Sequence, residues 1–78
     1  MDKRKLHQTQ LAIIGLLHSK RELSPKQAAR ILDLSTPNVA YHFQRLRAIG
    51  VIELSRTQEI RGSAQHFYKL RNDPIEVS

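Results

Sequence analysis

The chain has 78 residues, enough for one domain with a compact core and too few for a second, catalytic one. Thirteen Lys and Arg against seven Asp and Glu give a net charge of +6 and a pI near 10.3, the balance of a protein that meets polyanions. Cysteine is absent, which excludes disulfides, thiolate metal sites and cysteine nucleophiles and is compatible with a reducing compartment. The longest apolar run, residues 11–17, is far shorter than a membrane span, and the basic stretch Asp2-Lys3-Arg4-Lys5 is not followed by a cleavage region. The expectation is a cytoplasmic protein with no membrane partner.

In chain order, Leu11, Ile14 and Leu17, with Leu6 or Ile13, recur at helical spacing and predict a first amphipathic helix over about residues 7–20. Lys20-Arg21-Glu22 marks its polar exit. Ser24 as cap, Pro25 at the first helical position and Gln27 three residues after the cap predict a second, short helix over 25–32. Its small face, Ala28 and Ala29 with Leu32, lets a neighbouring helix approach closely. Asp33-Leu34-Ser35 reads as a tight turn, with Asp33 left-handed and Leu34 pointing inward. Ser35 or Thr36 then caps a third helix, with Pro37 in its first turn, ending near Ile49 at Gly50. Residues 51–56 and 64–70 have strand composition, and residues 57–63, with Gly62, join them. Either Phe67 or Tyr68 packs inward according to register.

This order predicts a mainly α chain with a small antiparallel β-hairpin (α+β), the layout of a winged helix-turn-helix. Residues 1–6 form a basic N-terminal arm, 7–70 the domain, and 71–78, with Asn72-Asp73-Pro74, a flexible C-terminal tail.

On a helical wheel Val39, Phe43, Leu46 and Ile49 share the inner side of the third helix, with His42 at its edge. His42 reads equally as a packed, hydrogen-bonded residue and as a DNA-contacting one. The outer side carries Pro37, Ala40, Tyr41, Gln44 and Ala48, flanked by Asn38 and Arg45, and lacks the Glu/Lys lacing of a solvated helix. Short outward residues let a helix into a major groove, where Asn, Gln and Arg bond base edges or phosphates; Ala40 suits a thymine methyl, Gln44 an adenine, and Tyr41 a phosphate or sugar. Arg56 and Arg61, expected to bracket the hairpin tip, suit phosphates or a minor groove, although basic residues also serve simply to protect an edge strand. Lys26 and Ser24, at the start of the second helix, suit phosphates beside a helix N-terminus.

The run Leu34-Ser35-Thr36-Pro37-Asn38-Val39-Ala40-Tyr41-His42-Phe43-Gln44-Arg45-Leu46-Arg47-Ala48-Ile49-Gly50-Val51-Ile52 resembles the recognition-helix signature of ArsR-type winged-helix repressors. Arg61-Gly62-Ser63-Ala64-Gln65-His66-Phe67-Tyr68 resembles their wing and returning strand. The resemblance spans about residues 11–70 and implies double-stranded DNA as partner, read through Thr36, Asn38, Ala40, Tyr41 and Gln44, by a transcriptional repressor. Two departures alter that expectation. Metal-sensing relatives use cysteine ligands, and here His7, His18, His42 and His66 are scattered over different elements, so no metal and no cofactor is expected. The residues after Leu70 are too few for a long dimerisation helix, so any homodimer would form through the first helix or on DNA.

Enzyme chemistry has no foothold, because there is no glycine-rich phosphate loop, nucleophile motif or paired-carboxylate spacing. The expected function is sequence-specific duplex binding by Thr36, Asn38, Ala40, Tyr41, Gln44 and Arg45, positioned by Lys26, Arg56 and Arg61. The alternatives are an architectural or excision-type DNA factor, and a winged-helix module for an acidic protein partner.

Overall fold

Three helices and one antiparallel hairpin follow one another: α1 (Gln8–Lys20), α2 (Pro25–Leu32), α3 (Thr36–Ala48), β1 (Ile52–Ile60) and β2 (Ser63–Leu70). The computed structural model describes residues 6–71, so the expected basic arm and tail fall almost wholly outside the described residues. The architecture is that of a winged helix-turn-helix.

Helix α1 starts at an unexpected cap. The His7 ring accepts the Thr9 N–H at Nδ1 (3.0 Å), and the Gln10 side chain accepts the His7 N–H (3.1 Å), a capping box built on histidine. The buried arc is Gln10, Ile13 and Leu17, with Ile14 and Leu16 partly covered. Leu11, expected inside, is 56% exposed. Apolar residues surround most of α1, so spacing alone did not select the inward arc; the inward turn of Gln10 does.

The chain leaves α1 through a γ-turn. Arg21 has φ 71° and ψ −51°, and Glu22 N–H reaches the Lys20 carbonyl at 2.8 Å, a conformation that strains a residue with a side chain. The reversal brings Leu23 alongside Tyr68, where the two exchange backbone hydrogen bonds of 3.1 and 2.9 Å. Strand β2 thus has β1 on one side and a single bridging residue on the other.

Helix α2 starts as its residues dictate: Ser24 Oγ accepts the Gln27 N–H (3.2 Å), Gln27 Oε1 accepts the Ser24 N–H (3.1 Å), and Pro25 leads the helix. Asp33 takes the left-handed conformation (φ 60°, ψ 46°), and Leu34 N–H reaches the Ala29 carbonyl at 3.0 Å. Leu34 itself does not point inward; it is 39% exposed, because the turn is held by its amide and not by its side chain. Ser35 caps α3 by accepting the Asn38 N–H (3.3 Å).

Helix α3 ends in a Schellman motif: Val51 N–H bonds the Leu46 carbonyl and Gly50 N–H the Arg47 carbonyl, both at 3.0 Å, with Gly50 at φ 81°. Val39, Phe43 and Leu46 are fully buried, whereas Ile49, expected with them, is 59% exposed. Ile49 stands at the C-cap where the helix has already ended, and Ile52, beyond the turn, is buried in its stead.

The hairpin is longer than expected. Its strands run to Ile60 and from Ser63, so the anticipated connection over residues 57–63 shrinks to a two-residue turn. Arg61 (φ 52°) and Gly62 (φ 79°) are both left-handed, as a type I′ turn requires. A bulge between Leu54 and Arg56 pairs Leu54 with Tyr68 and Arg56 with Phe67. Both aromatics are buried: Tyr68 meets the Phe43 ring edge-on at 5.5 Å, and Phe67 lies beneath the Arg56 guanidinium.

Candidate nucleic-acid interface

Close packing of α2 on α3 through Ala28 and Ala29, both buried, turns the opposite side of α3 outward. Thr36, Asn38, Gln44 and Arg45 are exposed there, Ala40 is half-buried, and Tyr41 is 58% exposed despite its size. The start of α2, the outer face of α3 and the first residues of β2 border a cleft of about 370 Å³. Of the residues singled out from sequence, Ser24, Lys26, Thr36, Ala40 and Gln44 line it together, facing Ser63, Ala64, Gln65 and His66 of the hairpin. Asn38, Tyr41 and Arg45 lie on α3 outside that lining.

Sequence reasoning missed the β2 contribution, because it ended the loop at Ser63. The signal was the pair Arg61-Gly62, which serves as a complete hairpin turn and starts β2 at the cleft. His66 is further held there by a 3.1 Å hydrogen bond between its Nδ1 and Thr57 Oγ1 across the strands.

Two expected roles are corrected. Ser24 borders the cleft but is buried, and its hydroxyl oxygen accepts the Gln27 N–H as the α2 cap, so its first role is structural. Arg56 does not bracket the tip with Arg61: Arg61 occupies the turn, while Arg56 lies down the strand and faces the body of the domain. Its Nε donates to Glu22 at 2.8 Å, its Nη1 donates to Gln58 at 3.0 Å, and its guanidinium sits 4.1 Å from the Phe67 ring centroid. Glu22 also accepts the Ser55 hydroxyl at 2.7 Å. These two hydrogen bonds, Ser55 first, hold the Glu22 carboxyl below its ordinary pKa. Such a clasp joins residues too distant in sequence for any local signal.

His42 is 6% exposed, which settles its role on α3 as a packed residue. Its Nδ1 is 3.1 Å from Gln10 Nε2, its ring stacks on His7 at 4.5 Å and 30°, and Tyr41 meets it edge-on at 5.2 Å. Burial, then the neighbouring His7 and Arg45, lower its pKa. Two of the histidines expected to be scattered therefore touch. Among the described residues no three His, Asp or Glu side chains are grouped to hold a metal ion, and no helix is long and apolar enough to cross a membrane.

Comparison with known proteins gives the same architecture. A family model described as a helix-turn-helix domain matches residues 6–55. No curated protein matches the chain. Among solved structures the chain is similar to the adhesin competence repressor (AdcR) from Streptococcus pyogenes, at 22% identity and a TM-score of 0.68. That match covers 87% of this chain and 48% of the other, so the chain spans about half the length of the structure it resembles, and the likeness is one of fold.

Proposed function

The chain belongs to the helix-turn-helix domain family, and from that premise we propose that it binds double-stranded DNA in a sequence-specific manner as a transcriptional regulator of the ArsR type. The observation that carries this reading is the single cleft bordered by the α2 start, the α3 outer face and the β2 start, which offers short and hydrogen-bonding residues to base edges and Lys26 to phosphates. In this arrangement α3 enters the major groove, with Ala40 at closest approach, Gln44 and Tyr41 reading, and Asn38, Thr36 and Arg45 flanking. Arg61, carried on the hairpin turn, reaches phosphates or the adjacent minor groove. Arg56 acts indirectly, by holding the hairpin to Glu22. The activity is binding without a cofactor, in the cytoplasm, and the resemblance to known repressors supports a homodimer on a two-fold operator.

The test is selection of bound duplexes from a random pool at near-physiological salt, followed by titration of the winners against scrambled duplex. A recurrent motif is expected, bound far more tightly than scrambled DNA, with palindromy if two copies bind. Replacing both Tyr41 and Gln44 by Ala is expected to reduce that discrimination by about 1–3 kcal/mol for each well-formed base interaction the substitutions remove. Motif-free, strongly salt-dependent binding would replace this reading with an architectural one.

A further inference from the structure

His7, Gln10 and His42 form a chain of hydrogen bonds whose direction can be worked out link by link. The Gln10 Oε1 accepts the His7 backbone N–H at 3.1 Å, which turns its amide nitrogen toward His42 Nδ1, also at 3.1 Å. That nitrogen can only donate, so His42 Nδ1 is the acceptor and its ring is neutral with the proton on Nε2. His7 Nδ1 in turn accepts the Thr9 N–H at 3.0 Å, which makes the second ring an Nδ1 acceptor as well. The two rings stack with centroids 4.5 Å apart. Both imidazoles are thus held in the one form that a proton on Nδ1 abolishes.

This chain of bonds connects the cap of α1 to the middle of α3. His42 lies between the reading face and the core, one residue from Tyr41, whose ring rests edge-on against it, and two from Gln44. The titratable and charged groups that face His42 are His7 from the start of α1 and Tyr41 and Arg45 from its own helix. No carboxylate among the described residues contributes, so nothing there compensates a charge on the ring.

We propose that His7, Gln10 and His42 form a proton-sensitive brace that positions the recognition helix, so that discrimination between specific and non-specific duplex is lost as His42 is protonated. A proton on His42 Nδ1 sets an N–H against the Gln10 amide and breaks the link between α1 and α3. His42 and His7 are positioning residues, acting on DNA through Tyr41 and the set of α3. The inference rests on the DNA-binding reading for its consequence and on the hydrogen-bond geometry for its mechanism. Its sign distinguishes it from simple electrostatics, since added positive charge by itself tightens binding to any duplex.

The experiment uses the full chain and two readouts. Nitrogen-detected NMR of the imidazoles at pH 7.5 is expected to show His42 neutral with its proton on Nε2; a proton on its Nδ1 overturns the brace. Affinities for a selected and a scrambled duplex are then measured from pH 7.5 to 5.5 at constant ionic strength. Their ratio is expected to fall by about tenfold, the order of one well-formed base interaction, while the scrambled duplex alone binds more tightly. A ratio that holds or rises while the protein stays folded overturns the proposal.

His7→Ser, a preferred cap at an exposed position, keeps α1 capped but removes the neighbouring imidazole. His42 is then expected to titrate at higher pH, and the midpoint of the ratio to move with it; an unmoved midpoint overturns the coupling. If no duplex is preferred at any pH, the regulator reading fails. The brace is then judged by whether the Tyr41 and Gln44 amide shifts follow the His42 titration, and their indifference to it would sink the brace as well.

Discussion

Phe43 is fully buried and meets Tyr68 edge-on, so a single ring joins the recognition helix to the returning strand of the wing. Phe43→Ala is expected to cost about 3–5 kcal/mol, a large part of the stability a domain of this size possesses, and urea melts followed by circular dichroism read it directly. His42 gives stability a pH dependence. Its folded pKa lies below the ordinary 6.5, so the unfolded chain takes up the proton first. The contribution is complete above pH 6.5 and is lost as pH falls from there through the folded value. At this scale, legibility followed how local the signal was. The Ser24-Pro25-Gln27 box and the left-handed Asp33 are written in adjacent residues and lie where they were expected. The His7 cap was invisible because histidine is not a preferred cap, and its ring does this work only with Gln10 and His42 to hold it.

At the scale of elements, the hairpin is held at its base and extends freely toward its turn. Glu22 grips Ser55 and Arg56 at the bulge, and Leu23 pairs with Tyr68, whereas strand β1 beyond Arg56 is exposed through to Ile60. Glu22→Gln removes the charge from that grip and, with Arg61 on phosphates as proposed, is expected to weaken all duplexes alike and to leave discrimination largely unchanged. Affinity titrations on selected and scrambled DNA separate the two effects. Acid is expected to mimic the substitution. The Glu22 carboxyl titrates below its usual 4.5, so its contribution is whole above that pH and declines as pH falls through the lower, folded value. The three helices were legible because caps and periodicity define them, and α2 has the expected bounds. The outer hairpin was not, because residues 57–60 are all exposed and show no alternation. The Leu23 bridge, a single residue, carries no periodicity at all.

For the molecule as a whole, a net charge of +6 supplies attraction to any duplex, and among the described residues a few cations stand at the cleft and the hairpin turn. Lys26 borders the cleft and Arg61 occupies the turn, while Arg56 is committed to Glu22. Lys26→Ala and Arg61→Ala are each expected to lower the slope of log affinity against log salt by about 1, whereas Arg56→Ala changes it less, because its cation is already paired. Titrations at four or five salt concentrations decide this. The outward face of α3 was legible as a unit from its wheel, since amphipathicity is periodic; that this face and the wing would border one cleft was not, since it depends on tertiary placement of the hairpin.

The bridge between Leu23 and Tyr68 closes a loop that contains the whole of α2, α3 and β1. Helices assemble through near neighbours and form quickly, but this closure joins distant parts of the chain and meets its loop entropy late. On a ribosome, which makes the chain from its N-terminus, all three helices are complete before Tyr68 is polymerised. A nascent chain stopped at Gly50 would carry α3 with neither wing nor cleft, so the cleft is completed only after Tyr68 is made, when β2 takes its place between Leu23 and β1.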